Sequence, residues 1–459
     1  MTTRHSRREF IGMTAASGLM AAVPAGTSAQ ARDTQEVAPG DRLQIATIGV
    51  GIQGINDTRT ALRVPGVELV AVADVYDGRL TLAKETWGDH VFTSRDYRDV
   101  LARPDVDAVI IATPDHWHAR IAIDAMKAGK DVYVEKPIVQ DIDEGPQVIE
   151  TERQTKRILQ VGSQRVSSIV YAKAGELFRA GAIGEVNLVE AWMNRNSSNG
   201  AWQYSIPADA APATIDWDRF LGNAPRRPFD PVRLFRWRNY RDYGTGIPGD
   251  LFVHLFTGIH YVLGSTGPTR VMATGGLRHW IDGRDVPDVM LAIYDYPKTA
   301  AHPAFTLSLK VNFANGGGND QAFRFIGPEG MMTIGNGAVT LSRRPREKDP
   351  GTTSDTFARA MQEAYMKEHR AKYPEQAELR PTSEEVYAAP AGYNESLEHF
   401  RTFFAAVRSR KPVIEDATFG YRAAAPALLT NESYFEGKPV GWDPERMRSR
   451  AATGATDPR

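Results

Sequence analysis

The feature that most constrains this chain is a glycine triplet placed between a strand pattern and a helix pattern. Leu43–Ile48 is a short apolar run typical of a buried strand, and it leads directly into Gly49-Val50-Gly51-Ile52-Gln53-Gly54. A helical stretch follows to about Leu62. A second strand, Val67–Ala73, then ends at Asp74, twenty residues after the last glycine. This order predicts a βαβ unit that binds a dinucleotide.

Each glycine of the triplet has its own physical task. Gly49 allows the tight turn, Gly51 lets the backbone approach a pyrophosphate, and Gly54 lets the helix pack close to the strand. The helix begins at Ile52 and Gln53, where free N–H groups can bind phosphate oxygens. We therefore expect these five residues to contact the cofactor.

Asp74 bears on which cofactor is bound. Its carboxylate would accept hydrogen bonds from the ribose hydroxyls and would oppose a 2′-phosphate, which favours NAD over NADP. Arg79 lies nearby in the sequence and could face a 2′-phosphate, so NADP stays possible.

The alternation of strand and helix patterns continues beyond this unit. The further strands are predicted at 106–112, 132–134 and 158–161, and the helices at 118–128 and 144–157. Nearly continuous apolar strands are typical of a parallel sheet covered on both faces, with ligands at the carboxyl ends of the strands. Those ends carry Thr113, Pro114, Glu135, Lys136, Pro137 and Gln164.

Lys136 could take part in hydride transfer at such an end. Moving a hydride between a carbinol carbon and nicotinamide requires the hydroxyl proton to leave or return. A partly desolvated lysine can share that proton or polarise the developing carbonyl. On position alone, a solvated charge would be the more ordinary interpretation of a lysine after a strand.

The second half of the chain changes character. Longer alternating strands are predicted at 185–195, 270–274, 289–294, 305–313, 323–326 and 331–334. The predicted fold class is thus α/β, with an N-terminal Rossmann doubly wound parallel sheet (42–164) and a C-terminal α+β domain (165–445) built on a large, mostly antiparallel open sheet. Residues 342–392 indicate a peripheral insertion with a helix near 356–369. An amphipathic helix follows around Phe400, and 446–459 is predicted to be a flexible tail.

Three motifs together carry a family resemblance. They are Thr113-Pro114-Asp115-His116-Trp117-His118, Val134-Glu135-Lys136-Pro137 and Gly249-Asp250-x-x-x-His254. The chain resembles the glucose–fructose oxidoreductase, inositol dehydrogenase and rhizopine-catabolism (Gfo/Idh/MocA) family from about Arg42 to Trp442. The glycine triplet is common to many families, whereas the Glu-Lys-Pro triplet followed by Asp-x-x-x-His is far more specific. This family resemblance implies that the second domain (165–445) binds the substrate and forms the subunit contact.

The resemblance implies roles for the matching residues. Lys136 would contact the reacting hydroxyl and the nicotinamide ribose, His254 would be the principal acid and base, and Asp250 would hold a substrate hydroxyl or orient His254. Residues 250 and 254 are also one helical turn apart, so both can point into one cleft. Many members carry an acid three residues after this histidine, where this chain has Thr257. We interpret His260, one turn beyond Thr257, as structural.

Further site residues are predicted on weaker grounds. His116 and His118 form an H-x-H pattern that lacks a third ligand, so we expect cofactor contacts from them and no metal. Aromatic faces with amide and guanidinium donors suit a polyhydroxylated ring. The substrate candidates are Lys136, Arg165, Asn194, Trp237, Arg238, Tyr240, Asp250 and His254, with Gln164 on the cofactor side.

The N-terminus carries an export pattern. Ser6-Arg7-Arg8-Glu9-Phe10-Ile11 is a twin-arginine motif, the apolar stretch 11–23 follows it, and Ala29-Gln30-Ala31 is a small-x-small cleavage site. This order predicts a signal peptide over 1–31, a polar linker over 32–41, contact with the twin-arginine export machinery and a periplasmic location.

Several functions fit these patterns. The first is an NAD(P)-dependent oxidoreductase acting on a sugar or polyol. The second is a glycosidase that oxidises its sugar transiently, and the third is an inactive sugar-binding regulator. A net charge of −1 does not indicate nucleic acid, and the absence of Cys excludes thiolate sites. Because free NAD is scarce outside the cytosol, export favours a tightly bound cofactor. The second sheet predicts a homo-oligomer, either a dimer or a tetramer.

Overall fold

The computed structural model describes residues 42–343, 351–372 and 383–451. The predicted signal peptide and linker lie outside the described residues, as do parts of the predicted insertion and tail. In the described ranges, no helix is long and apolar enough to cross a bilayer.

The N-terminal domain is a six-stranded parallel sheet with strand order β3-β2-β1-β4-β5-β6. Its strands are β1 (Leu43–Ile48), β2 (Val67–Ala73), β3 (Phe92–Ser94), β4 (Ala108–Ile111), β5 (Asp131–Val134) and β6 (Leu159–Val161). Its helices are α1 (Ile52–Ala61), α2 (Asp77–Trp87), α3 (Tyr97–Leu101), α4 (His118–Lys127) and α5 (Gly145–Thr155). The predicted Rossmann topology is confirmed, and the order reverses between β1 and β4, where such sheets bind ligands.

The C-terminal domain is built on a ten-stranded sheet. Its strands are β7 (Leu188–Asn194), β8 (Arg270–Gly276), β9 (Val289–Tyr296), β10 (Phe305–Asn312), β11 (Asp320–Gly327), β12 (Gly330–Gly335), β13 (Ala338–Arg343), β14 (Ser383–Ala388), β15 (Val440–Asp443) and β16 (Arg448–Arg450). They lie in the order β14-β13-β12-β11-β7-β10-β9-β8-β15-β16, and every pair is antiparallel except β7 with β10. The predicted mostly antiparallel sheet is therefore confirmed.

The helices α6 (Ile169–Arg179), α9 (Val253–Leu263) and α12 (Ala417–Glu436) cover one face of the sheet. The same half of the chain also contains α7 (Trp217–Leu221), α8 (Pro231–Phe235), α10 (Arg359–Lys372) and α11 (Glu395–Ser409). Buried and partly exposed side chains alternate along β7, because every second residue faces α6 and α9. The opposite face, which we call the outer face, leaves Met272, Leu291 and Ile293 about half exposed.

Two predicted boundaries are wrong. Part of the predicted insertion is β14, which pairs along its whole length with β13 and so belongs to the main sheet. Part of the predicted flexible tail is β16, which pairs with β15. β16 consists of polar residues and β14 is only half apolar, so backbone pairing with the neighbouring strand places them. The helix predicted near 356–369 is present as α10.

Helix α11 does not belong with the substrate-binding sheet, although the predicted domain 165–445 included it. Its apolar face packs against the N-terminal domain, where Phe400 and Phe403 join the core formed by β1, β2 and α1. The Phe400 ring stacks on Tyr133 of β5 with 4.4 Å between ring centroids. The N-terminal domain is thus completed by a helix from the far end of the chain.

Candidate functional site

The glycine turn has the geometry that a dinucleotide cradle requires. Gly49 has φ +85, and a Cβ there would lie 2.8 Å from the backbone of Ala112. A Cβ at Gly54 would lie 1.9 Å from the Gly49 carbonyl oxygen. The N-terminus of α1 has no side-chain cap, so its first N–H groups are available to a phosphate. These residues fit the diphosphate of a dinucleotide.

Asp74 stands at the carboxyl end of β2 beside this turn. Its carboxylate accepts hydrogen bonds from the backbone N–H of Val50 (2.9 Å) and of Tyr76 (3.0 Å). Arg79 lies 3.4 Å from the same carboxylate and within 3.4 Å of where a Cβ of Gly51 would lie. Asp74 therefore holds the glycine turn in place and keeps Arg79 paired.

A cavity of about 250 Å³ lies over the turn. Its lining includes nine residues predicted from the sequence, namely Gly49, Gly51, Ile52, Gln53, Asp74, Thr113, Pro114, Trp237 and Arg238. The lining is mainly apolar and aromatic with a few charged groups, as in other cofactor clefts.

The roof of this cavity comes from residues 195–247, which we call the cap segment. It is attached to the end of β2 by backbone hydrogen bonds from Asp216 N to Val75 O (2.9 Å) and from Asp77 N to Thr214 O (3.0 Å). Cap residues absent from the sequence prediction also line the cavity, among them Tyr204, Arg219, Phe220 and Phe235. Their only sequence signal is an Arg- and Trp-rich stretch without a motif.

Lys136, Asp250 and Arg238 form one connected group at the end of the cleft. The Lys136 Nζ donates to Asp250 Oδ1 (2.7 Å) and to the Asp250 carbonyl oxygen (2.9 Å). Arg238, which lines the cavity, donates through Nε to the same Oδ1 (3.1 Å). Although burial raises the pKa of Asp250, Lys136 and Arg238 together hold it well below its usual range.

Asp250 and His254 lie on consecutive turns of one helical segment. Asp250 is in a π-helical turn, Pro248–Phe252, that runs directly into α9, and such turns often occur at functional sites. The His254 Nδ1 is buried and has no hydrogen-bond partner among the described residues. Burial and the nearby charges of Lys136 and Arg165 lower the pKa of His254 well below 6.5, so the ring is neutral at physiological pH.

A carboxyl group from a distant part of the chain approaches Thr257, the position where an acid was missing. The Thr257 hydroxyl lies 3.4 Å from Glu415 Oε1 and 3.1 Å from the Ser163 hydroxyl, and Ser163 also hydrogen-bonds to Glu415. Glu415 precedes α12 and is fully buried. Sequence reasoning did not identify it, because no local motif surrounds it.

His116 and His118, predicted to contact the cofactor, do not line the cavity, because backbone carbonyl oxygens take up their ring nitrogens. The His118 Nδ1 lies 2.7 Å from the Pro137 carbonyl oxygen, and its Nε2 lies 2.8 Å from that of Thr113. The His116 Nε2 lies 2.8 Å from the Phe220 carbonyl oxygen. Burial lowers the pKa of each ring to about 4. Both histidines thus support the loops around the cleft.

Four other predicted contacts lie outside the cavity. Gln164 donates to Gly162 O within its own turn, and Arg165 pairs with Glu395 behind His254. Asn194 lies on the outer face, hydrogen-bonded to Asp320, and Tyr240 is buried in an aromatic cluster of the cap segment. Period-two alternation turns Asn194 away from the cleft, and core packing takes up Tyr240.

The other predicted positions are as follows. Glu135 is buried under the cleft, and Pro137 follows Lys136 through a cis peptide bond. His260 is buried with its Nε2 2.9 Å from the Tyr296 hydroxyl, in agreement with a structural role. Among the described residues, no three His, Asp or Glu side chains are grouped so that they could hold a metal ion.

Two relatives with assigned activities each match about a quarter of the chain. A glycosyl hydrolase family 109 protein of Shewanella baltica is 36% identical over 129 residues, which are 26% of this chain and 27% of that protein. An alpha-N-acetylgalactosaminidase of Shewanella oneidensis is 36% identical over 123 residues, 25% of this chain and 27% of that protein. The chain thus matches only about a quarter of the length of these relatives.

Solved structures match almost the whole fold at low sequence identity. A levoglucosan dehydrogenase in complex with NADH and levoglucosan has a TM-score of 0.62 at 18% identity and covers 87% of this chain and 99% of its own. A scyllo-inositol dehydrogenase from Lactobacillus casei, with bound NAD(H) and scyllo-inositol, has a TM-score of 0.58 at 20% identity and covers 87% and 99%. At this identity the likeness concerns the fold.

Two family models account for the two domains. The model for the oxidoreductase family with an NAD-binding Rossmann fold matches residues 43–163, and the model for the GFO/IDH/MocA C-terminal domain matches 171–333. Together they cover more than half of the chain, which therefore belongs to the Gfo/Idh/MocA family of oxidoreductases.

Proposed function

We propose that this chain is an NAD-dependent oxidoreductase that transfers a hydride between the nicotinamide and a hydroxyl-bearing carbon of a sugar or polyol. The observation that carries this proposal is the group of Lys136, Asp250 and Arg238 with His254, reached from the dinucleotide cleft through Arg238. A neutral histidine and a hydrogen-bonded ammonium group are the acid–base pair that alcohol oxidation needs.

Each residue has a distinct task in this reaction. When bound, NAD supplies the hydride acceptor. His254 accepts the hydroxyl proton, because its depressed pKa keeps the ring neutral. Lys136 uses two of its three N–H groups on Asp250, and the third is free to polarise the substrate oxygen. Asp250 holds the ammonium group in place.

The cap segment favours a carbohydrate as the substrate. Trp237 and Tyr204 offer aromatic faces, and the Arg238 guanidinium stacks on the Trp237 ring at 4.2 Å. Such surfaces suit a polyhydroxylated ring. The substrates named for the solved relatives, levoglucosan and scyllo-inositol, are of this class.

A second candidate is an NAD-dependent glycosidase that oxidises its sugar transiently, eliminates the aglycone and returns the hydride. The observation that favours it is the 36% identity with a glycosyl hydrolase family 109 protein over 129 residues. An inactive sugar-binding regulator is the least supported function, because Lys136, Asp250 and His254 are all present and Arg238, which lines the cavity, is hydrogen-bonded to Asp250.

The experiment that tests the proposal begins with protein purified without added nucleotide. The protein is denatured, the released dinucleotide is identified by mass, and intact samples are mixed with free sugars and aryl glycosides while the absorbance of reduced nicotinamide is followed. Lasting reduction by a free sugar that Lys136→Met abolishes and the exposed control Lys127→Met retains supports the oxidoreductase. Glycoside cleavage without lasting reduction supports the glycosidase, and neither activity in any sample contradicts both.

We also propose that the chain is exported folded, through the twin-arginine route, with its cofactor already bound. The support is the motif at Arg7-Arg8 with the Ala29-Gln30-Ala31 cleavage site, together with the roofed cleft, which would slow cofactor loss. Fractionation of cells that produce the full chain tests this proposal. The wild type is expected in the periplasm, whereas an Arg7→Lys, Arg8→Lys chain is expected to remain inside. Equal distribution of the two would contradict it.

Finally, we propose that the protein is a homo-oligomer that uses the outer face of the ten-stranded sheet. Met272 of β8 lies directly opposite Ile293 of β9 on this face, and Leu291 lies beside them. Apolar side chains grouped on an otherwise uncovered sheet face are typical of subunit contacts.

A further inference from the structure

Three carboxyl groups lie buried behind the Lys136 and His254 pair, and we call them the buried carboxyl cluster: Asp57, Glu135 and Glu415. Asp57 belongs to α1, Glu135 follows β5, and Glu415 precedes α12. They are 4%, 5% and 0% exposed. Burying three carboxyl groups without a cation dedicated to them lowers the stability of the fold. We therefore expect the cluster to have a function.

The cluster contains hydrogen-bonding atoms that no protein group satisfies. Within the described ranges, Asp57 Oδ2, Glu135 Oε1 and Glu415 Oε2 have no partner, and neither has the hydroxyl of Tyr133, which is fully buried. A Cβ at Gly162 would lie 2.5 Å from Glu135 Oε1 and 2.9 Å from the Tyr133 hydroxyl. The glycine therefore leaves room beside two of these unsatisfied groups, as is expected where protons or ordered waters are held.

Hydrogen-bonding groups connect the cluster with His254. The hydroxyls of Ser163 and Thr257 both contact Glu415, and they lie 3.1 Å from each other. Thr257 is three residues after His254 on α9, so both side chains lie on the same side of the helix. The Ser163 backbone is close enough to the ring to act on its protonation. Ser163 thus lies against the His254 ring through its backbone and against Glu415 through its hydroxyl, so a single residue separates the cluster from His254.

Burial and the surrounding charges bring the pKa values of Glu135 and Glu415 close to neutral pH. Burial raises the pKa of Glu135 to about 7 against the opposing charges of Lys136 and Arg238, with Asp250 raising it further. Burial raises the pKa of Glu415 to about 8, with the hydrogen bonds from its two hydroxyl partners and the charge of Arg165 opposing. Burial and the Glu135 carboxyl also raise the pKa of Asp57. The cluster can therefore both gain and lose a proton near neutral pH.

We propose that the buried carboxyl cluster is a proton reservoir that takes up the proton leaving the substrate hydroxyl and returns it when the product is reduced. The proposal rests on the proposed hydride transfer. The C–H electron pair leaves the carbinol carbon as a hydride to NAD, and the O–H proton passes to His254 and onward to the cluster. A carbonyl remains on the sugar. A protein that keeps both the hydride and the proton can return both to the sugar, and such a cycle causes no net oxidation.

The test measures where the proton goes during a single oxidation. Protein carrying its own NAD is mixed with an oxidisable sugar in weak buffer near neutral pH, and a pH-indicator dye is followed together with the absorbance of reduced nicotinamide. The wild type is expected to release far less than one proton per hydride. Glu415→Gln, which keeps the size of the side chain, is expected to release about one. Release of about one proton by the wild type, or no difference between the two, overturns the proposal.

A matched control and a substrate-free measurement complete the test. Glu152 is another partly buried carboxyl with a raised pKa of about 7, on α5 and outside the cluster, so Glu152→Gln should release as little as the wild type. If no sugar is oxidised, the proposed function fails, and infrared spectroscopy decides on the reservoir separately. The wild type is expected to show a protonated-carboxyl band that grows as the pH falls from about 9 to about 6, and Glu415→Gln is expected to lose most of this change. An unchanged band overturns the reservoir.

Discussion

At the scale of single residues, His254 gives the most direct prediction. Burial and two nearby cations depress its pKa, so the neutral ring, which is the form that accepts a proton, persists as the pH falls below 6.5. We expect kcat/KM to stay constant down through that value and to decline only at lower pH. We also expect His254→Asn to lower kcat by roughly 10²–10⁴-fold while the bound dinucleotide is retained. Steady-state kinetics across pH measure both.

His260 supplies the control for this prediction, because it is a buried histidine on the same helix. Its Nε2 contacts the Tyr296 hydroxyl and no cleft residue. We expect His260→Asn to lower the melting temperature with little effect on kcat. A loss of kcat of similar size in both variants would mean that packing of α9, and not proton transfer, explains the result.

Asp74 gives a second prediction, on cofactor choice. Its carboxylate pairs with Arg79 and opposes a 2′-phosphate, whereas an amide of the same shape could still accept the hydrogen bond from Val50. We expect Asp74→Asn to weaken NAD binding by about 1.5–3 kcal/mol, roughly 10–100-fold, and to strengthen NADP binding through the released Arg79. Titration calorimetry of protein stripped of nucleotide measures both affinities. Glu68→Gln, an exposed change at the other end of β2, should alter neither, and an unchanged NAD affinity in Asp74→Asn would exclude the ribose contact.

The sequence predicted the residues of the site where a local motif carries the chemistry. The glycine turn, Lys136, Asp250 and His254 all belong to short motifs, and each lies where expected. The cap residues and Glu415 reach the site through tertiary packing alone, so no spacing in the chain marks them. Donor-bearing residues without a motif, such as Asn194 and Tyr240, were assigned to the cleft from composition, and packing and strand alternation placed them elsewhere.

At the scale of helices and strands, apolar periodicity predicted the elements that bury one or two faces. The strands without that pattern were missed for physical reasons. β3 has only three residues and none is buried, and β16 is composed of exposed polar side chains. For helix α11, the apolar stripe predicted that the helix is buried. The stripe did not predict which domain the helix packs against.

The position of α11 leads to a prediction on stability. Phe400 is 1% exposed and stacks on Tyr133 of the Rossmann sheet, so its removal leaves a cavity in the N-terminal core. We expect Phe400→Ala to lower the free energy of unfolding by about 3–5 kcal/mol and to weaken dinucleotide binding. Urea unfolding followed by tryptophan fluorescence measures the first effect. Phe357→Ala, at a ring that is 43% exposed, should change stability little. A small effect at Phe400 would mean that α11 is not part of that core.

At the scale of the whole molecule, the two faces of the ten-stranded sheet have different surroundings. The inner face supports α9 and with it Asp250 and His254, so changes there would disturb the site directly. The outer face contacts no cofactor-binding residue and carries an apolar group across β8 and β9. A subunit that packs on the outer face could therefore stabilise the sheet without obstructing the cleft.

This division predicts that assembly and catalysis can be separated by one substitution. Ile293 is 52% exposed and sits opposite Met272, so a glutamate there would place a charge in the centre of a subunit contact at a cost of several kcal/mol. We expect Ile293→Glu to be monomeric by light scattering and to retain its dinucleotide, and we expect the wild type to have the mass of a dimer or tetramer. Ile281→Glu, at an 82% exposed loop position, should keep the wild-type mass. An oligomer that survives Ile293→Glu would move the contact away from this face, because no assembly can bury an unpaired carboxylate at its centre without losing affinity.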